Sequence, residues 1–151
     1  MESVKYAMYS QLLIRIRSLV ATDGPVPSMA NIAAALKEAC GFFWVGFYLV
    51  DGDRLTLGPF QGPVACSQIA FGQGVCGTAW KERRTIIVPD VERFPGHIAC
   101  SALSRSEIVV PILLRGQVVG VLDADSTELD RFDKVDAEFL AVICRLVSTK
   151  F

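Results

Sequence analysis

The chain has 151 residues, 52% of them hydrophobic, and a formal net charge of -1. That length suits one domain with a sizeable core, and the apolar content argues against disorder. The charge gives no electrostatic basis for nucleic-acid binding, the longest basic run being "KERR" at 81–84; no apolar run nears the ~18 residues of a membrane span, and "MESVKYAMYS" lacks the apolar centre of a secretion signal.

Taken in chain order, residues 2–20 carry Tyr6, Leu12, Leu13, Ile16, Leu19 and Val20 at helical spacing. "DGPVPS" (23–28) is a loop. Ser28 then serves as N-cap for a second, alanine-rich helix, "MANIAAALKEAC", that stops at Gly41. "FFWVGFYLV" (42–50) is aromatic and β-branched, hence a strand; "DGD" turns it back into "RLTLGPF" (54–60). "GQGVCGTAWKERR" reads as a short helix entered through glycines, followed by the strand "TIIVPDV" (85–91). "SEIVVPILL" and "QVVGVLDAD" form a second hairpin turning at Arg115-Gly116. A final helix follows "FDKVDAEFLAVICRLVSTK", with Asp133 and Asp136 spaced as a capping box. Helices, hairpin-linked strands and a terminal helix predict an α+β domain, an antiparallel sheet with helices packed on it and a ligand cleft under long loops on its other face.

Side chains two apart in a strand share a face. Trp44 and Tyr48 therefore point together, as do Asp123 and Asp125, while Glu107 lies on the opposite parity from Ile108, Val110 and Ile112. Three carboxyls and two aromatics on one face predict mutually raised pKa values and a group able to donate a proton. The plainer reading is that Asp123 and Asp125 end a strand and, with Ser126, cap a turn. Spacing leaves both open.

Five cysteines without an export signal point to a reducing compartment, where a disulfide is catalytic or redox-sensing rather than structural. Cys40 and Cys144 lie in apolar helical patterns and read as packing residues. Cys66, Cys76 and Cys100 lie in Gly/Pro-rich segments, "GPVACS", "GQGVCGTAW" and "PGHIACS", and read as candidates for thiol chemistry. Their spacing with His97, the lone histidine, matches no common zinc pattern. His97 reads as a local hydrogen-bonding residue rather than an activator of Cys100.

The segments "WVGFYL", "LGPFQGPVACSQIAFGQGVCGTAW", "TIIVPDVERFPGHIACSALSRSEIVVPI" and "GVLDADS" closely resemble the free methionine-(R)-sulfoxide reductases, which are built on a GAF domain. The resemblance covers about residues 40–135, with helices at both ends where that fold has them. It implies one GAF domain over 1–151, a six-stranded antiparallel sheet between helices, a homodimer, and no metal or organic cofactor. It implies free L-methionine-(R)-sulfoxide as substrate, Cys100 as nucleophile, Cys66 as resolving cysteine and Cys76 as a third active-site cysteine. The family's aromatic wall falls on Trp44 and Tyr48, and its sulfoxide-facing carboxylates on Glu107, Asp123 and Asp125. Two positions depart from the family pattern: Ser101, where an acidic residue often follows the nucleophile, and Ala124, where a larger aliphatic residue often separates the aspartates.

The chemistry expected from the resemblance is attack of the Cys100 thiolate on the sulfoxide sulfur, with the carboxyls protonating the oxygen. Backbone amides of His97, Ile98, Ala99 and Cys100 would hold the substrate carboxylate. The resulting Cys100 sulfenic acid would condense with Cys66, and a thioredoxin-type donor would reduce the disulfide in the cytoplasm. The rival expectation is a non-catalytic GAF sensor of a small molecule or of redox state. A sensor needs no spaced cysteine set, and this chain shows no output domain.

Overall fold

The computed structural model describes residues 2–97 and 100–151. Four α-helices are α1 (Glu2–Val20), α2 (Pro25–Cys40), α3 (Gly74–Glu82) and α4 (Lys134–Ser148). Six strands, β1 (Trp44–Asp51), β2 (Arg54–Gln61), β3 (Gln68–Ala70), β4 (Ile86–Val88), β5 (Ser106–Leu114) and β6 (Gln117–Ser126), form one antiparallel sheet. Its order is β3-β2-β1-β6-β5-β4, the six-stranded α+β arrangement expected.

The two faces of the sheet do different work. Val45 and Phe47 of β1, Ile108, Val110 and Ile112 of β5, and Leu122 and Ala124 of β6 pack with α1, α2 and α4 into the larger apolar core. The alternate residues Trp44, Tyr48, Val109 and Val121 face the other way, toward α3 and the long loops. Ala124 is thus fully buried away from the loops, where its side chain affects packing alone.

The helices follow from their apolar stripes. Tyr9, Leu12, Ile16 and Val20 are the buried face of α1, whereas Tyr6 and Leu19 are exposed. Tyr9 replaces Tyr6 because its ring stacks on Phe139 and its hydroxyl donates to Asp136 Oδ1 at 2.7 Å. Lys5 donates to Asp136 Oδ2 at 2.6 Å, so the buried carboxylate that opens α4 is fully occupied. Asp133 caps α4, and the capping box with Asp136 is present as the spacing predicts.

Several boundaries differ from the sequence expectation. The cap of α2 is Gly24 rather than Ser28: Pro25 and Pro27 lie in the first turn, where no N–H is needed, and Ser28 is buried inside the helix. The predicted strand 85–91 shrinks to Ile86–Val88, because Pro89 cannot donate to the ladder and Val91–Arg93 turns as a 3-10 helix. The short strand β3 has no counterpart in the sequence reading. Arg115 and Gly116, both at positive φ, make the second hairpin turn as expected.

Candidate active site

Glu107 on β5 and Asp123 and Asp125 on β6 form the floor of a cavity. Glu107 is paired directly across the ladder with Asp125, and Val109 with Asp123, so the three carboxyls converge by register. Like charges in such positions destabilise a sheet, which is a reason to expect protons among them. Burial is the main cause that lifts the Glu107 carboxyl from an ordinary 4.5 to about 8, and the neighbouring Asp125 adds to it. Burial likewise raises Asp123 and Asp125 well above the carboxylate range, assisted by Glu107 and by Asp123 respectively. The lining residues include no lysine or arginine. His97 Nε2 lies 3.7 Å from Glu107 Oε1, and burial lowers the His97 pKa. The His97 N–H makes the local hydrogen bond expected, to the Phe94 carbonyl at 3.2 Å, while its ring reaches Glu107 ten residues along the chain.

Trp44 and Tyr48 form one wall, stacked at 5.9 Å between ring centroids. Phe60 backs Trp44 from the neighbouring strand at 5.3 Å. Gly46 between the two aromatics is what lets this happen. A Cβ there would collide with Phe60 Cβ and come within 2.8 Å of the Trp44 ring. The polar ends of the wall hold the loop above it: Trp44 Nε1–H donates to the Pro63 carbonyl at 3.1 Å, and Tyr48 O–H donates to the Cys66 carbonyl at 2.8 Å.

Cys76 comes from α3, not from a loop. Gly77 allows α3 to lie against the end of β3, since a Cβ would meet the Ala70 carbonyl oxygen at 2.6 Å. This sets the Cys76 side chain on the carboxyl floor. Burial first, then Asp123 and Glu107, push its thiol well above the ordinary range, so it keeps its proton. Cys66 and Cys100 are joined in a disulfide with Cα atoms 5.6 Å apart, linking the loop after β2 to the loop before β5. Cys40 and Cys144 are free and pack in or against the larger core, as expected of structural cysteines.

The cavity thus brings together Trp44, Tyr48, Cys76, His97, Cys100, Glu107, Asp123 and Asp125, with Cys66 at its edge through the disulfide. Its water-accessible space is about 50 Å³, enough for a few waters or part of a small solute. Ile98 and Ala99, expected to contribute backbone amides, lie outside the described residues. Gln73, Ser101 and Ser104 also line the cavity. Sequence reasoning missed Gln73 and Ser104, which sit in loops without periodicity. Phe60 could have been found, since it opposes Gly46 in the hairpin register.

Comparison with known proteins places this arrangement. The GAF domain family model matches residues 28–151. GAF domain-containing protein A of Dictyostelium discoideum is 53% identical over 95% of this chain and 92% of its own length. Free methionine-R-sulfoxide reductase of Escherichia coli is 44% identical over 90% of this chain and 84% of its own. The X-ray structure of free methionine-R-sulfoxide reductase from Neisseria meningitidis, in complex with its substrate, is 53% identical. It superimposes with a TM-score of 0.95 over 97% of this chain and 90% of that one. With a cysteine pair bridging the mouth of a cavity floored by three carboxyls, the chain belongs to the GAF-domain family and, within it, to the free methionine-R-sulfoxide reductases.

Proposed function

We propose that the protein reduces free L-methionine-(R)-sulfoxide to L-methionine with Cys100 as nucleophile. The observation that carries this reading is the Cys66–Cys100 disulfide beside a cavity floored by Glu107, Asp123 and Asp125. A disulfide in that place is the state left after one turnover.

The reduced Cys100 thiolate attacks the sulfoxide sulfur while a buried carboxylic acid of the Glu107–Asp123–Asp125 set gives its proton to the oxygen. The bond formed between Cys100 and the substrate sulfur and the substrate S–O bond both break as the hydroxyl passes to Cys100, leaving a thioether and a Cys100 sulfenic acid. The sulfur of the substrate is reduced by two electrons and that of Cys100 is oxidised by two. The Cys66 thiol then forms the S–S bond and water departs. A thioredoxin-type dithiol reduces the disulfide and is itself oxidised.

The raised pKa of Glu107, about 8, supports the presence of an acid at neutral pH. The three carboxyls titrate as a set, so the proton belongs to the set. Trp44 and Tyr48 pack the S-methyl end and select the epimer. The amides of Ile98, Ala99 and Cys100 hold the substrate carboxylate, the His97 amide expected with them donating instead to the Phe94 carbonyl at 3.2 Å. Cys76 lines the same cavity and is held protonated by burial.

The chain works as one GAF domain over 1–151, as a cytoplasmic homodimer. Exposed Val4, Tyr6 and Ile14 on α1 supply apolar surface for a partner copy. No helix among the described residues is long and apolar enough to cross a membrane. A non-catalytic sensor is not favoured, since a small-molecule sensor calls for no such disulfide and a redox sensor for no acid floor.

The test is NADPH consumption with thioredoxin and thioredoxin reductase, comparing the free R sulfoxide, the free S sulfoxide and a peptide-bound R sulfoxide. Turnover of the free R form alone is expected. No turnover of any form by reduced, folded protein contradicts the proposal.

A further inference from the structure

We propose that Cys76, Glu107 and Asp123 form a binding site for a thiophilic divalent cation, zinc in the first place, whose occupancy blocks the cavity against substrate. One ligand atom from each of the three residues lies within 4.8 Å of the other two. All three side chains line the same cavity. The independent observation is Asp123 Oδ1, which is buried and has no hydrogen-bond partner, on a residue only 6% exposed. The Asp123 side chain interacts with Glu107 and Cys76, yet this oxygen is left unsatisfied at that depth, which is costly and leaves a donor position open to a ligand.

Among the described residues neither lysine nor arginine lines the cavity, and the neighbour of Glu107 that can carry positive charge there is His97, at 3.7 Å. The donor set is one sulfur and two carboxylates. Zinc accepts this mixture, with Zn–S near 2.3 Å and Zn–O near 2.1 Å, whereas calcium and magnesium take oxygen alone. Tetrahedral bonding needs donors roughly 3.5 Å apart, so the three atoms close in by about 1 Å, within the reach of side-chain rotation. A fourth position stays open to water, as in catalytic rather than structural zinc sites.

The donors stand on α3, β5 and β6, and none belongs to the disulfide, so the site exists whether Cys66 and Cys100 are oxidised or reduced. Binding breaks the Cys76 S–H bond and displaces the protons held by the Glu107 and Asp123 carboxyls; one metal–sulfur and two metal–oxygen bonds form, the protons leave to solvent, and no oxidation state changes. The cation then sits against the carboxyls that would otherwise face the sulfoxide oxygen. That consequence rests on the proposed reductase reading; the site itself does not.

The experiment is a titration of the oxidised protein with cobalt(II), read by its sulfur-to-metal charge-transfer absorption. The expected result is one equivalent bound per chain, displaced by zinc and opposed by free methionine sulfoxide. Cys76→Ala and Cys76→Ser should lose the absorption, and Cys40→Ala should keep it. Asp123→Asn should weaken binding at least about tenfold. Circular dichroism on each variant separates loss of the site from loss of the fold. Absence of the absorption in the native protein, or its persistence in both folded Cys76 variants, overturns the site. Binding that methionine sulfoxide does not oppose overturns the blocking role. Cobalt binding by a protein that reduces no sulfoxide keeps the site and removes the reductase reading; turnover without cobalt binding does the reverse.

Discussion

Replacing Glu107 with glutamine should flatten an unusual dependence of folding stability on pH. In the folded protein burial lifts the Glu107 carboxyl from 4.5 to about 8, with Asp125 adding to the shift. Between those values the native state holds a proton that the unfolded chain has lost. Stability is therefore fully present below pH 4.5 and falls as the pH rises through about 8. Each such proton contributes about 1.4 kcal/mol per pH unit, so Glu107 alone costs the fold roughly 3 kcal/mol between pH 5 and 7. Asp123 and Asp125 shift in the same direction and steepen the fall. His97 works the other way: its pKa is lowered from 6.5, so its contribution is lost as the pH drops through that region. It is present in both proteins, so the difference between their slopes reads Glu107 together with its coupling to Asp123 and Asp125. Urea unfolding of the oxidised protein at pH 5, 6 and 7 reads the slope, with unchanged m-values as the check that both proteins unfold alike. Glu107→Gln should lose at least one proton's worth of slope, ~1.4 kcal/mol per pH unit, because the Asp123 shift that Glu107 supports relaxes with it. A native protein whose stability is flat or rises from pH 5 to 7, or a variant with the native slope, refutes the reasoning.

Other perturbations test separate parts of the account. Cys66→Ser should release one methionine per chain and then stall as a sulfenic acid that dimedone traps at Cys100. Trp44→Ala removes the wall stacked on Tyr48 and Phe60 and should lower kcat/KM on the order of 10- to 100-fold, mainly through KM, measured by steady-state kinetics. Gly46→Ala drives a Cβ into Phe60 and Trp44 and should destabilise the fold by about 1–3 kcal/mol in urea unfolding, while loosening the same wall. Asp133→Ala removes the cap that accepts from the Val135 and Asp136 amides and should cost about 1 kcal/mol with turnover unchanged.

The carboxyl floor was legible before any coordinates, and the reason is the period of a strand. Alternation in "SEIVVPILL" and "QVVGVLDAD" sends Glu107, Asp123 and Asp125 away from Ile108, Val110, Leu122 and Ala124, and the ladder keeps that separation. The α4 cap was legible because a capping box is local. Features that depend on distant partners were not. Strand β3 is three residues long with one buried side chain, so it has no period to read; it exists because Arg54–Thr56 offer a free edge. The reach of His97 to Glu107 and the choice of Tyr9 over Tyr6 for the core likewise follow from tertiary packing. Spacing alone did not pair Cys66 with Cys100; family resemblance did, and their sequence separation of 34 is closed by two loops that meet over the cavity.

The central claim is that Cys100 and Cys66 deliver the two electrons to a free sulfoxide. A single-turnover experiment measures it most directly. Fully reduced protein, freed of reductant, is mixed with excess free L-methionine-(R)-sulfoxide, and the methionine formed and the disulfides present are quantified by chromatography and peptide mapping. The account predicts one methionine per chain, with the new disulfide between Cys66 and Cys100 and with Cys40 and Cys144 still thiols. No methionine, or methionine formed with Cys100 left a free thiol, would contradict it.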